Sequence, residues 1–129
     1  MFARSPQDPM NTLIGASTRV EGHVLFKGGL RIDGTVHGNV IADAELHSYL
    51  VLGAAGCVEG EVHCDHIVVN GEIRGAVYSS ELLEIQPNGR IIGDVFYNVL
   101  EVHGGALVCG HLSQQGGADK VLHLAASEA

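Results

Sequence analysis

Tryptophan is absent, aromatic residues make up 5% of the 129-residue chain and proline occurs three times. A core this poor in large rings has to be filled by aliphatic side chains, which hydrophobic residues at 46% of the sequence supply. Lys and Arg total 7 against 15 Asp and Glu, for a formal charge of −8. That balance excludes a phosphate-binding surface, because affinity for nucleic acid comes chiefly from clustered cations. Cys57, Cys64 and Cys109 form an odd set without a C-x-x-C pair, and no apolar run of signal-peptide length opens the chain. Reduced thiols in a cytoplasmic protein are expected. No stretch approaches the roughly 20 apolar residues of a membrane-spanning helix, so any contact with a membrane is peripheral.

What is abundant is glycine, with 18 residues, and it recurs with a period. The unit aliphatic-x-Gly-x-aliphatic appears as Val20 to Val24, Val36 to Val40, Val58 to Val62, Ile73 to Val77, Ile91 to Val95 and Val108 to Leu112. Its glycines stand at 22, 38, 60, 75, 93 and 110, giving spacings of 16, 22, 15, 18 and 17. An aliphatic pair two residues apart precedes each later copy, as in Leu30 and Ile32 or Ile67 and Val69. Turn-like residues join the two units, so each repeat reads as strand, corner, strand, corner, with the aliphatic residues and the glycine facing inward.

A repeat of about 17 residues is roughly 58 Å of extended chain, one coil of three sides of near 20 Å. The expected fold is all-β: a single-stranded, right-handed parallel β-helix of about six coils with triangular cross-section. The hand follows from the preference of parallel crossover connections. A left-handed hexapeptide helix is excluded because its six-residue register fails after Gly34. The expected organisation is a disordered tail over 1–12, the β-helix over 13–112 and a flexible tail over 113–129.

The coils Leu30 to Val40 and Ile67 to Val77, with six glycine-centred units in register and small polar tails, resemble those of the bactofilins, the bacterial polymer-forming cytoskeletal proteins. The resemblance covers about Leu13 to Leu112. It implies nucleotide-independent, non-polar filaments, often at the inner face of the cytoplasmic membrane, that help place cell-wall or polarity proteins. It also implies a membrane-targeting tip in Met1, Phe2 and Arg4, weak alone and strengthened by the many copies in a filament.

A β-helix ends in two open edges, and exposed edges invite pairing. Neither tail reads as a cap, so end-to-end assembly is expected to bury Leu13, Ile14, Val20 and Val24 at one end and Leu100, Val102, Val108 and Leu112 at the other. The competing reading is a non-polymerising module that binds a protein or polysaccharide on a flat face, with Val121, Leu122 and Leu124 folded over the last coil. Ordered filaments without nucleotide separate the two.

Chemistry has few candidates. His63-Cys64-Asp65-His66 has metal-ligand types, but an extended strand points His63 and Asp65 one way and Cys64 and His66 the other. No metal or cofactor is expected, and no carboxylate pair is nominated for acid-base catalysis. The chain is read as a structural protein and not an enzyme. Aligned outward positions Glu21, His37, Glu59 and Arg74 are expected to form a charge ladder, and 41–49 to bulge from one corner.

Overall fold

A computed structural model describes residues 10–115. Sixteen strands, all paired in parallel, wind as a solenoid with three faces. The first face stacks β1 (Met10–Ile14), β4 (Gly29–Ile32), β7 (Tyr49–Leu52), the second half of β9 (Val62–Val69), the second half of β11 (Val77–Ile85) and β14 (Val99–Val102). The second stacks β2 (Arg19–Glu21), β5 (Thr35–His37), β8 (Cys57–Glu59), β10 (Glu72–Arg74), β12 (Arg90–Ile92) and β15 (Leu107–Cys109). The third stacks β3 (Val24–Phe26), β6 (Val40–Ala42), the first halves of β9 and β11, β13 (Val95–Tyr97) and β16 (Leu112–Gln114). Each face thus holds six rungs, one per coil. Among the described residues, strand structure runs from Met10 to Gln114.

Alternation produces the core. Columns such as Val36, Val58, Ile73 and Ile91, or Leu30, Leu50, Ile67 and Leu83, are completely buried, each residue in register with its neighbour one coil away. Each such side chain contributes roughly 1.5–3 kcal/mol by leaving water. Stacking them in ladders lets a thin interior behave as one continuous core.

The glycine-centred unit differs from its expected role. It is not one strand but two strand ends and the corner between the second and third faces. The aliphatic residues flanking each glycine point inward from different faces, and the glycine makes the bend. Gly38, Gly60, Gly75, Gly93 and Gly110 have φ between 151° and 156°, a region that is essentially restricted to glycine. They also stack on one another: a Cβ on Gly75 would lie 2.2 Å from the carbonyl oxygen of Gly60, and one on Gly110 would lie 2.0 Å from that of Gly93. The corner therefore needs glycine twice, for its dihedral and for the approach of the coil beneath.

The corner between the first and second faces takes two lengths. Asp33-Gly34 and Asn70-Gly71 turn in two residues, whereas 53–56, 86–89 and 103–106 use four and close with their own backbone bond, as from Gly56 N–H to the Gly53 carbonyl (2.8 Å). Both lengths return the chain to the same ladder, since the Cys57 amide donates to Gly34 and the Glu72 amide to Gly56. The length variation is absorbed at the corner and never reaches the core.

Candidate assembly ends and the third face

The six strands of the first and last coils each pair on one side only among the described residues: β1, β2 and β3 with β4, β5 and β6, and β14, β15 and β16 with β11, β12 and β13. Among the described residues no further strand lies along their outer edges, which border an apolar interior.

Of the residues expected at these ends, seven occupy interior columns. Ile14, Val20 and Val24 lie in register with Ile32, Val36 and Val40, and Leu100, Val102, Val108 and Leu112 with Leu83, Ile85, Ile91 and Val95. Position in the stack decides their exposure: Val36 and Val40 are fully buried, Val20 and Val24 half-buried, and Leu112 is 41% exposed. Leu100 and Ile14 are already buried. Leu13 stands elsewhere, on the outer surface opposite Arg31, at 62% exposure. Met1, Phe2 and Arg4, and Val121, Leu122 and Leu124, lie outside the described residues.

The charge ladder forms on the second face. Glu21, His37, Glu59 and Arg74 occupy successive rungs of one outer row. His37 Nδ1 lies 3.2 Å from Glu21 and its Nε2 lies 3.8 Å from Glu59, while Arg74 turns along its own strand to Glu72. Such exposed pairs contribute about 0–1 kcal/mol each, enough to favour register but not to hold the fold.

The His63-Cys64-Asp65-His66 run does not converge. β9 bends at Asp65, so Asp65 and His66 both turn outward while Cys64 points into the interior at 6% exposure. Burial pushes the Cys64 thiol up to about 11, against the opposing hydrogen bond to Ser48 Oγ (3.3 Å). Cys57 is raised too, by burial and then by Glu72 and Glu59. Neither is an activated nucleophile, since the thiolate is the reactive form.

The bulge expected at 41–49 is confined to 43–48, since Ile41 and Ala42 belong to β6 and Tyr49 to β7, and it is tied down at its return. Ser48 is buried: its hydroxyl accepts the Asp65 amide (2.9 Å), its amide donates to the Asp65 carboxylate (3.1 Å), and its carbonyl accepts the His66 amide (3.1 Å). Burial works against the Asp65 charge, but hydrogen bonds from Ser80 and Ser48 outweigh it and hold the carboxyl below its ordinary range. The loop brings His47 to 3.2 Å from Glu81 and 3.8 Å from Asp65, a grouping drawn from three coils that local spacing does not reveal.

The third face holds the feature that sequence reasoning missed. Its outer row, in register from coil to coil, is Leu25, Ile41, His63, Tyr78, Phe96 and Ser113. The His63 and Tyr78 rings stack with centroids 4.3 Å apart at 12°, and Tyr78 stacks on Phe96 at 4.8 Å and 8°. Beside this ribbon runs a groove of about 540 Å³ lined by Ala42, Ala44, Tyr78 and Phe96 among others. The signal was present: each residue of the outer row stands three places after a repeat glycine.

Comparison with known proteins agrees with this architecture. The Bactofilin family, described as polymer-forming cytoskeletal, matches residues 12–113. The chain belongs to the bactofilin family. This bactofilin is similar to Bactofilin BacO of Myxococcus xanthus (strain DK1622), 26% identical over 111 residues, covering 86% of this chain and 85% of that one. It is also similar to Bactofilin BacP of the same organism, 28% identical over 85 residues, 66% of this chain and 34% of that protein's length. Among solved structures it matches the cryo-EM reconstruction of Thermus thermophilus bactofilin double helical filaments with a TM-score of 0.63 at 30% identity, over 81% of this chain and 99% of that one. Bactofilins are structural cytoskeletal proteins, and among the described residues no helix is long and apolar enough to cross a membrane.

Proposed function

We propose that this bactofilin assembles end to end, without nucleotide, into filaments that scaffold cell-shape, cell-wall or polarity proteins near the cytoplasmic membrane. The observation that carries the reading is the state of the terminal coils, where strands paired on one side only border the interior columns of Val20, Val24, Val108 and Leu112. Stacking a second subunit there continues both the hydrogen-bond ladder and the apolar columns, which is how an open sheet edge is normally satisfied. Polymer is the homotypic solution, and no catalytic step enters it. In this reading Met1, Phe2 and Arg4 hold the filament to the membrane surface through many weak contacts. The filaments associate in pairs, as the double helical filaments of the Thermus thermophilus relative do.

Val24→Glu and Leu112→Glu place a charge at the two ends without touching the central coils. Each is expected to give short oligomers or single subunits by electron microscopy and sedimentation, with the strand signal in circular dichroism retained. Long filaments from both variants refute the end-to-end contact. The competing binding module would show a single small particle for the unaltered chain as well.

A further inference from the structure

The three faces of the solenoid differ in what they show to water. The second presents Arg19, Glu21, His37, Glu59, Glu72 and Arg74. The first carries Arg31, Glu84 and Glu101 along an outer row that also holds Leu13, Val51 and Val68, so charge interrupts its apolar positions. From Leu25 to Phe96 the third carries no Asp, Glu, Lys or Arg in its outer row, and Leu25 is 75% exposed.

We propose that the third face is where two filaments of this chain pair, each burying Leu25, Ile41, His63, Tyr78 and Phe96 against the same face of the other. This rests on the filament reading above and assigns its lateral contact.

Three observations lead there. First, the row runs parallel to the solenoid axis, one side chain per rung, so stacked subunits repeat it about every six rungs, roughly 29 Å. A partner that matches it along a whole filament must have the same axial repeat, and a second filament of this chain has it. Second, the face has a knob beside a hollow. Leu46 projects from the 43–48 loop at 52% exposure, next to the groove, whose lining combines Ala42, Ala44, Tyr78 and Phe96 with Asp43 and Asp65. Each copy thus offers both a knob and a hollow, the self-complementarity that an isologous contact requires.

Third, the area fits a filament and not a free dimer. Only Leu25 in the row is largely exposed, and Ile41, His63, Tyr78 and Phe96 are half-buried, so five side chains fall short of the roughly 800 Å² per partner, about 20–30 residues, of a stable complex. Single subunits therefore stay apart laterally. A filament multiplies the same contact by its number of subunits, and weak contacts in series bind strongly. Pairing follows polymerisation and does not precede it.

The experiment is electron microscopy of the full chain and of Leu25→Lys, Tyr78→Lys and Thr35→Lys, the last on the charged second face. Leu25 is so exposed that its substitution leaves the fold unburdened, which guards against reading misfolding as loss of pairing. The unaltered chain and Thr35→Lys are expected to give paired filaments, and Leu25→Lys and Tyr78→Lys single filaments of undiminished length with pairing lost. Paired filaments from both third-face variants overturn the inference, as do unpaired filaments from the unaltered chain, which leave the filament reading intact. A chain ending at Gln115 that loses pairing while Tyr78→Lys keeps it overturns the inference in favour of residues 116–129. Absence of any filament from the unaltered chain removes the filament reading itself.

Discussion

Two glycines in equivalent corners should respond very differently to the same substitution. At Gly75 an added Cβ meets the Gly60 carbonyl oxygen at 2.2 Å, and φ is 151°. At Gly22, in the first coil, φ is 131° but none of the described residues comes within 4 Å of the Cβ position. Gly22→Ala therefore carries only the backbone term, about 1–3 kcal/mol. Gly75→Ala carries that and a collision with backbone, so the coils must separate by about 1 Å to restore an ordinary contact. Separation weakens the ladder bonds on either side, such as Gly60 N–H to the Arg74 carbonyl at 3.0 Å, each worth about 1 kcal/mol. The expected total is roughly 3–6 kcal/mol, a large fraction of the roughly 5–15 kcal/mol that holds a domain folded. Urea unfolding of both variants, in a Val24→Glu/Leu112→Glu background that blocks both ends, reads the difference as a shift in midpoint. Equal losses at the two positions would refute the idea that coil-on-coil contact, and not dihedral alone, makes these corners glycine.

Other expectations follow from the loop and the thiols. Ser48→Ala should cost about 1–3 kcal/mol by leaving the Asp65 amide without its acceptor, and hydrogen exchange should rise at Asp65 and His66; unchanged exchange there would contradict the anchoring role. Because the folded Asp65 carboxyl titrates below its usual value, its stabilisation is complete above about pH 4 and is lost as pH falls through the lowered folded value. Asp65→Asn should flatten the acid limb of the stability profile there, and a parallel profile would argue against it. Cys109, exposed, should react with a thiol reagent first and Cys64 only on unfolding, with mass spectrometry counting the modified thiols. Early labelling of Cys64 would mean that the interior beneath the third face opens.

Much of this architecture could be read in the sequence because a solenoid repeats its physics. The alternation at Leu30 and Ile32, or Ile67 and Val69, marks strands wherever it occurs, and the recurring glycine fixes one corner per coil. What the glycine does was harder to see. A residue midway between two inward aliphatics looks like the centre of a strand, and only the stacking of Gly75 on Gly60 shows that the chain bends there. The third-face ribbon escaped for a related reason. His63, Tyr78 and Phe96 are 15 and 18 places apart, so their ring stack exists only once register is known. The grouping of His47 with Asp65 and Glu81 depends on a loop inserted in one coil alone, which no repeat predicts.

The central claim, that subunits stack along the solenoid axis, has a direct signature. In such a filament every strand runs across the filament axis, and the rung spacing continues through the subunit contacts. Purified chain without nucleotide, examined by cryo-electron microscopy or fibre diffraction, should show a meridional layer line at about 4.8 Å. A spacing of that size lying on the equator, or a monodisperse small particle with no filaments, would contradict the account.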